Sequence, residues 1–133
     1  MPPGPKKAAA RGRLMPMRVE DSFRAYVMEQ LAGVRDVRMK AMFGGVGLYA
    51  GDVFFGILAA GALYFKVDDT NRGPYEEAGM AAFKPYADKP MTMSYWQVPA
   101  GVLEDAGELA VWARAAILVA KRAGTKPRPA RRR

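Results

Sequence analysis

The pattern of hydrophobic and polar positions first becomes regular at Glu20, where it predicts a helix. Apolar residues recur at intervals of three and four, which places them on one helical face. They are Phe23, Tyr26, Val27, Leu31 and Val34. Asp21 or Ser22 can cap the start of this helix, and Gly33 can end it. The sequence therefore predicts a helix over about residues 20–33.

Three short runs rich in β-branched and aromatic residues come next. They cover residues 46–49, 53–58 and 63–67, and glycine-containing turns separate them. Runs of this kind joined by tight turns are typical of an antiparallel meander. A short helix is predicted over 72–78, with Asp68 and Asp69 placed to cap it. Two more strands are predicted at 82–86 and 91–98, the second ended by Pro99.

The last apolar stripe predicts a second long helix. Its members are Leu109, Trp112, Ala113, Ala116, Ile117 and Ala120. Carboxylates, among them Glu108, cluster at its start, and Lys121 and Arg122 lie at its end. The helix dipole favours negative charge at the start of a helix and positive charge at its end. The predicted order is thus α-β-β-β-α-β-β-α. We expect an α+β fold, a two-layer sandwich in which about five antiparallel strands present one face to three helices.

The predicted core of this domain contains large apolar residues from the helices and strands. They are Leu31, Phe54, Ile57, Leu63, Trp112 and Ile117. Residues 44–47 contain three glycines, but their spacing fits neither common phosphate-binding loop and a strand follows instead of a helix. A bend before the strand is the interpretation that we favour.

Charge divides the chain into a domain and two tails. The net charge is +8, yet residues 19–120 hold nine cations against 13 carboxylates, a net charge of −4. The remaining twelve cations lie at the two ends, which contain no carboxylate. We therefore predict a disordered basic tail over 1–18, a domain over 19–123 and a second disordered basic tail over 124–133.

Eleven of these terminal cations are the candidate nucleic-acid-binding residues, because phosphates attract them without regard to sequence. They are Lys6, Lys7, Arg11, Arg13, Lys121, Arg122, Lys126, Arg128, Arg131, Arg132 and Arg133.

The absence of two residue types limits the catalytic mechanisms and metal sites that the chain can form. The chain has no histidine and no cysteine, which excludes Ser-His-Asp and Cys-His catalysis and the usual zinc ligands. The carboxylate pairs Asp68-Asp69 and Glu76-Glu77 are better explained by helix capping and by solvation. We therefore expect no enzymatic activity, no metal and no cofactor. No apolar run is long enough to span a membrane, and we expect a cytoplasmic protein.

Several motifs together resemble the N-terminal domain of the TfoX/Sxy family. They are the runs MFGGVGLY at 42–49, LYFKVD at 63–68 and KPMTMSYW at 89–96, followed by Val98-Pro99 and the helix around Trp112. The residues that carry the resemblance are Met42, Phe43, Gly44, Gly45, Gly47, Tyr49, Tyr64, Lys66, Asp68, Tyr95, Pro99 and Trp112.

The resemblance implies the same α-β-β-β-α-β-β-α order and no catalytic residues. Full-length members regulate natural competence, acting with a cyclic-AMP receptor protein at promoters, and carry a second domain of helix-hairpin-helix character. Only 13 residues follow the last predicted helix here, so we expect a single-domain member. The leading hypothesis is a regulatory module that binds a protein partner in transcriptional regulation. The alternative is an accessory protein that binds nucleic acid weakly and nonspecifically through its basic tails.

Overall fold

The computed structural model describes residues 18–42, 44–84 and 94–125. Its elements, in chain order, are α1 Asp21–Gln30, β1 Val37–Met42, β2 Gly45–Ala50, β3 Val53–Ala59, β4 Ala62–Lys66, α2 Arg72–Glu77, β5 Tyr95–Gln97, α3 Ala100–Leu103 and α4 Ala106–Thr125. The predicted fold class is confirmed: this is an α+β domain with a five-stranded antiparallel sheet.

The sheet is a simple meander in which each strand pairs with its neighbours in the chain. The strand order is β1-β2-β3-β4-β5, and every pairing is antiparallel. The hairpin turns use left-handed backbone at Gly44, Gly51 and Gly61, with φ of 82°, 61° and 80°. Only glycine adopts this conformation without steric cost. The glycine-rich segment is therefore a turn, as expected, although it joins two strands.

The order of the elements differs from the prediction at three places. One of them is the short helix α3, which the sequence pattern did not predict. The sequence pattern gave no strand at β1, whose residues alternate between apolar and charged but include a single β-branched residue and no aromatic one. Such a run has the period of a strand and little of its composition. The strand predicted at 82–86 is wrong within the described residues, where Ala82 forms only an isolated bridge with Trp96. The observed order is α-β-β-β-β-α-β-α-α.

The sheet buries side chains on both faces, whereas the sequence predicted a single buried face. The inner face carries Leu48, Phe55, Leu63 and Phe65, which pack with residues of α1 and α4 in the main core. The outer face carries a smaller cluster. Its buried members are Ile57, Ala59, Phe83 and Tyr95, with Phe54 and Tyr64 packed against them.

The predicted core residues divide between these two clusters. Leu31 and Leu63 are buried in the main core, and Ile57 is buried in the outer cluster. The other three, Phe54, Trp112 and Ile117, are half-buried at the edges.

Two side chains tie the helices to one another. The Gln30 amide of α1 donates a hydrogen bond to the Leu103 carbonyl of α3 at 2.9 Å. The Arg114 guanidinium of α4 donates to the Gly33 carbonyl at 3.0 Å, just beyond α1. In the part of the chain that the structure describes, no helix has the length and apolar character needed to cross a membrane.

Candidate functional site

The residues that carry the family resemblance fall into two groups, one on each side of the domain. Strand register places Gly47, Tyr49, Tyr64, Lys66 and Tyr95 on the outer face. Asp68 and Trp112 lie on the helical side, Pro99 is the N-cap of α3, and Gly44 forms the β1–β2 turn. Phe43 lies outside the described residues.

Gly47 allows aromatic rings to pack closely on the outer face. A Cβ atom at this position would lie 3.0 Å from Met42 Sδ, 3.0 Å from Phe54 Cε1 and 3.3 Å from Tyr49 Cε1. The space that glycine leaves is filled by a chain of rings, with centroids 5.2 Å apart for Tyr49 and Phe54 and 5.4 Å apart for Phe54 and Tyr95. The glycine is therefore needed for packing at this position.

Lys66 and Tyr95 continue this arrangement at the end of the sheet. The Lys66 ammonium lies 5.1 Å from the centroid of the Tyr95 ring and donates a hydrogen bond to Ser94 Oγ at 2.7 Å. Burial, with a smaller effect of Tyr49, raises the pKa of Tyr95 to about 12. Burial also raises the pKa of Tyr64. Both phenols stay protonated near neutral pH, as acceptors and donors of hydrogen bonds.

On the helical side, α2 and α4 meet at Tyr75 and Trp112. Their ring centroids are 4.6 Å apart with an interplanar angle of 66°, an edge-to-face contact. The Trp112 indole N–H donates to Glu108 Oε2 at 3.1 Å. Tyr75 is buried, and its hydroxyl makes no hydrogen bond with any described residue. Burial raises the pKa of Tyr75 far above its ordinary value.

A groove of about 210 Å³ opens beside this contact. Residues from the start of α2 and from the middle of α4 line it, and we call it the α4 groove. They are Thr70, Asn71, Pro74, Tyr75, Val111, Trp112 and Ala115. Val111 and Leu118 are seven residues apart on α4, so they project on the same side. Their side chains are 59% and 55% exposed, the most exposed large apolar residues described.

The loop before α2 is held in place by Asp68 and Asn71. Asp68 Oδ1 accepts a hydrogen bond from the Thr70 N–H at 2.8 Å, and Arg122 contacts Asp68 Oδ2 at 3.4 Å. Asn71 accepts from the Asp68 N–H at 2.8 Å and donates to the Lys66 carbonyl at 3.1 Å. The hydrogen bond from Thr70, with a contribution from Arg122, lowers the pKa of Asp68.

The predicted capping role of Asp68 and Asp69 is therefore wrong. The helix begins at Arg72 with Asn71 at its N-cap, and no side chain makes a capping hydrogen bond there. Asp68 instead closes the turn, and Asp69 pairs with Arg72 at 2.6 Å. Of the second carboxylate pair, Glu76 contacts Arg72 at 3.4 Å. Asp105 precedes α4 and accepts from the Glu108 N–H at 3.1 Å, as expected for a carboxylate at a helix start.

Of the candidate nucleic-acid-binding residues, the structure describes two, Lys121 and Arg122. Lys121 and Arg122 lie in the last turns of α4, and Arg122 also donates to Thr70 Oγ1 at 3.0 Å. The other members of that set lie outside the described residues. They are Lys6, Lys7, Arg11, Arg13, Lys126, Arg128, Arg131, Arg132 and Arg133.

Sequence reasoning missed the exposed apolar residues of α4, of which Val111 lines the α4 groove. Val111 and Leu118 lie off the apolar stripe that predicted the helix, and two large aliphatic residues seven positions apart on the polar side were a usable signal. Tyr75 was given no role from the sequence. Among the described residues, no group of three or more carboxylates could hold a metal ion.

A five-stranded antiparallel meander with helices on its inner face, and an open groove between two of those helices, defines a small α+β domain. The comparison with protein families then gives its relationship. Residues 29–120 match the TfoX N-terminal domain, which is most of the chain. The protein belongs to the TfoX N-terminal domain family. A search of the curated proteins finds none that matches it.

Proposed function

We propose that this protein is a non-enzymatic regulatory module that binds a protein partner through the α4 groove. The observation that carries the proposal is an open groove lined mainly by apolar and aromatic residues, among them Pro74, Tyr75 and Val111. Val111 and Leu118 of α4 are the most exposed large apolar side chains of the described residues. Exposed apolar surface of this kind is typical of sites where another protein binds, and a partner that covers it removes it from water.

The size and the apolar lining of the groove indicate what the partner supplies. An apolar cavity of about 150 Å³ accommodates a benzene molecule, so the α4 groove, at about 210 Å³, has room for one large apolar side chain. Val111 and Leu118 extend the apolar surface along the helix. An amphipathic helix fits this shape, since its apolar residues recur along one face at the same spacing.

The process in which we propose that the module acts is transcriptional regulation of the competence type. Membership of the TfoX N-terminal domain family supports this role. The partner is then a transcription regulator, and the apolar side chain that occupies the groove belongs to that protein.

The experiment compares capture of proteins from a lysate of the native host by the full chain and by two double variants. Val111→Asp/Leu118→Asp places charge beside the α4 groove. Tyr26→Asp/Met28→Asp is the matched control, because these α1 side chains are also exposed, at 36% and 37%.

We expect one protein that the wild type and the control retain and that the α4 variant loses. Binding is then reconstituted with the two purified proteins. Equal retention by both variants, or loss in both, would contradict the proposal. Thermal unfolding followed by circular dichroism checks that each variant is folded.

A further inference from the structure

The charged side chains of the sheet all have one sign. Arg38, Lys40 and Lys66 are the charged residues of the five strands, which contain no carboxylate. Arg38 pairs with Tyr49, Lys40 with Gly47 and Lys66 with Tyr95 in the strand register. Directly paired residues project on the same side of a sheet. The three cations therefore share the outer face with the chain of aromatic rings.

Two open grooves include residues of this face, and Asp52 lines both of them. The first has a volume of about 380 Å³, and its lining includes Arg38, Lys40 and Tyr49. The second has a volume of about 480 Å³, and its lining includes Phe54, Lys66 and Tyr95. Tyr49 and Phe54 are half-buried and in ring contact with each other, so they connect the two grooves. The rings of Tyr49 and Phe54 thus lie between Arg38 and Lys40 on one side and Lys66 on the other.

We propose that the outer face of the sheet binds single-stranded nucleic acid. Proteins that bind single strands combine a basic groove that follows the phosphates with aromatic side chains on which bases stack. Arg38, Lys40 and Lys66 contact the phosphates, and Tyr49 and Phe54 receive the bases. A duplex does not satisfy this surface, because its bases are stacked on one another and its major groove admits a helix or a two-stranded ribbon.

The end of α4 adds positive charge at one edge of this surface. The second groove is also lined by Lys121 and by neighbouring residues of the last helical turns. The eight residues after Thr125 contain five cations and no carboxylate. Their attachment point thus lies next to the proposed path of the strand.

The negative net charge of residues 19–120 does not oppose this binding. The carboxylates of the described residues lie in helices and in the segments between elements, where solvent ions screen them over about 8 Å. Asp52 is the exception, because it lines both grooves. Its carboxylate is fully exposed and lies 3.7 Å from the Arg38 guanidinium. It therefore weakens the attraction for phosphates in both grooves.

The test measures fluorescence anisotropy of labelled single-stranded DNA and RNA, about 16 nucleotides long, with the full chain. The nine tail cations that lie outside the described residues are replaced by glutamine in every protein, which removes their contribution. In this background Arg38→Gln/Lys40→Gln should bind about tenfold more weakly at low salt. Because each phosphate contact contributes about −0.7 to the slope of log K against log salt on single strands, the slope should become shallower by about 1.4.

Two further variants and one control complete the test. Asp52→Asn should bind at least about twofold more tightly than the parent, since it removes a carboxylate from the path of the phosphates. Tyr49→Leu should weaken binding, and Tyr49→Phe should retain it. Arg24→Gln/Arg114→Gln removes two cations from the helices and should leave binding unchanged. Whichever of DNA and RNA binds more tightly identifies the natural strand.

The proposal is overturned if Arg38→Gln/Lys40→Gln binds like the parent, if the helix control loses as much, or if a duplex of the same sequence binds equally well. The proposal is independent of the partner-binding function. Val111→Asp/Leu118→Asp should leave nucleic-acid binding intact.

Discussion

Tyr75 and Trp112 lie edge to face, with ring centroids 4.6 Å apart. This contact joins α2 to α4 and keeps the Tyr75 ring out of water, although the residue lines an open groove. A buried aromatic ring stabilises the fold, whereas a buried hydroxyl without a partner destabilises it. The two effects act on one side chain, so a substitution that keeps the ring and removes the hydroxyl separates them.

Tyr75→Phe should therefore stabilise the protein. The substitution keeps the ring and removes only the hydroxyl, so we expect the free energy of unfolding to rise by about 1 kcal/mol. Urea unfolding followed by tryptophan fluorescence measures this change. A less stable Tyr75→Phe protein would show that the hydroxyl has a partner inside the domain.

Gly56→Ala should be strongly destabilising, because the added methyl group meets backbone. Its Cβ would lie 2.9 Å from the Tyr64 carbonyl oxygen on the paired strand and 3.0 Å from Leu48 Cδ1. Overpacking of this kind costs about 1–3 kcal/mol. Gly33→Ala is the matched control, since nothing lies within 4 Å of its Cβ position. Equal unfolding midpoints in urea for both variants would contradict this packing of β3 against β4.

Tyr95 should make the fold sensitive to alkaline pH. Its pKa is raised to about 12 from 10.0, first by burial and then by Tyr49. Between these values the unfolded chain loses the phenol proton and the folded chain keeps it. The stability that Tyr95 contributes is thus complete below pH 10 and falls by about 1.4 kcal/mol per pH unit as pH rises toward 12.

Ultraviolet titration of the folded protein, compared with Tyr95→Phe, isolates this phenol. The difference in absorbance between the two proteins should appear only near pH 12. A difference that is already complete near pH 10 would show that Tyr95 is exposed to water.

The sequence was sufficient to predict the central meander and the two long helices. Glycines at the hairpin turns and the aromatic runs between them define β2, β3 and β4 without reference to the rest of the chain. The strand β1 was missed because its alternation of Arg38 and Lys40 with apolar residues is a weak signal when few β-branched residues accompany it.

The two candidate binding surfaces, the α4 groove and the outer face of the sheet, were harder to predict. They depend on contacts between distant parts of the chain. Trp112 was predicted to lie in the core and is half-buried, since the α4 groove opens beside it. The burial of Tyr75 depends on Trp112 of another helix. The pattern of residues around Tyr75 therefore does not predict that its hydroxyl is buried without a hydrogen-bond partner. Net charge was also a poor guide, because a negative total for residues 19–120 concealed a sheet face with three cations.

The central claim is that the α4 groove receives a protein partner, and site-specific photocrosslinking in the native host tests it most directly. A photoreactive amino acid is placed at Val111 in the full chain, and at Met28 on α1 as the control position. We predict a crosslink to one protein from Val111 and none from Met28. The same crosslink should disappear when Ala115→Arg fills the groove, and the folded state of that variant is checked by its thermal unfolding. Crosslinks of equal yield from both positions, or no crosslink to any protein from Val111, would contradict the account.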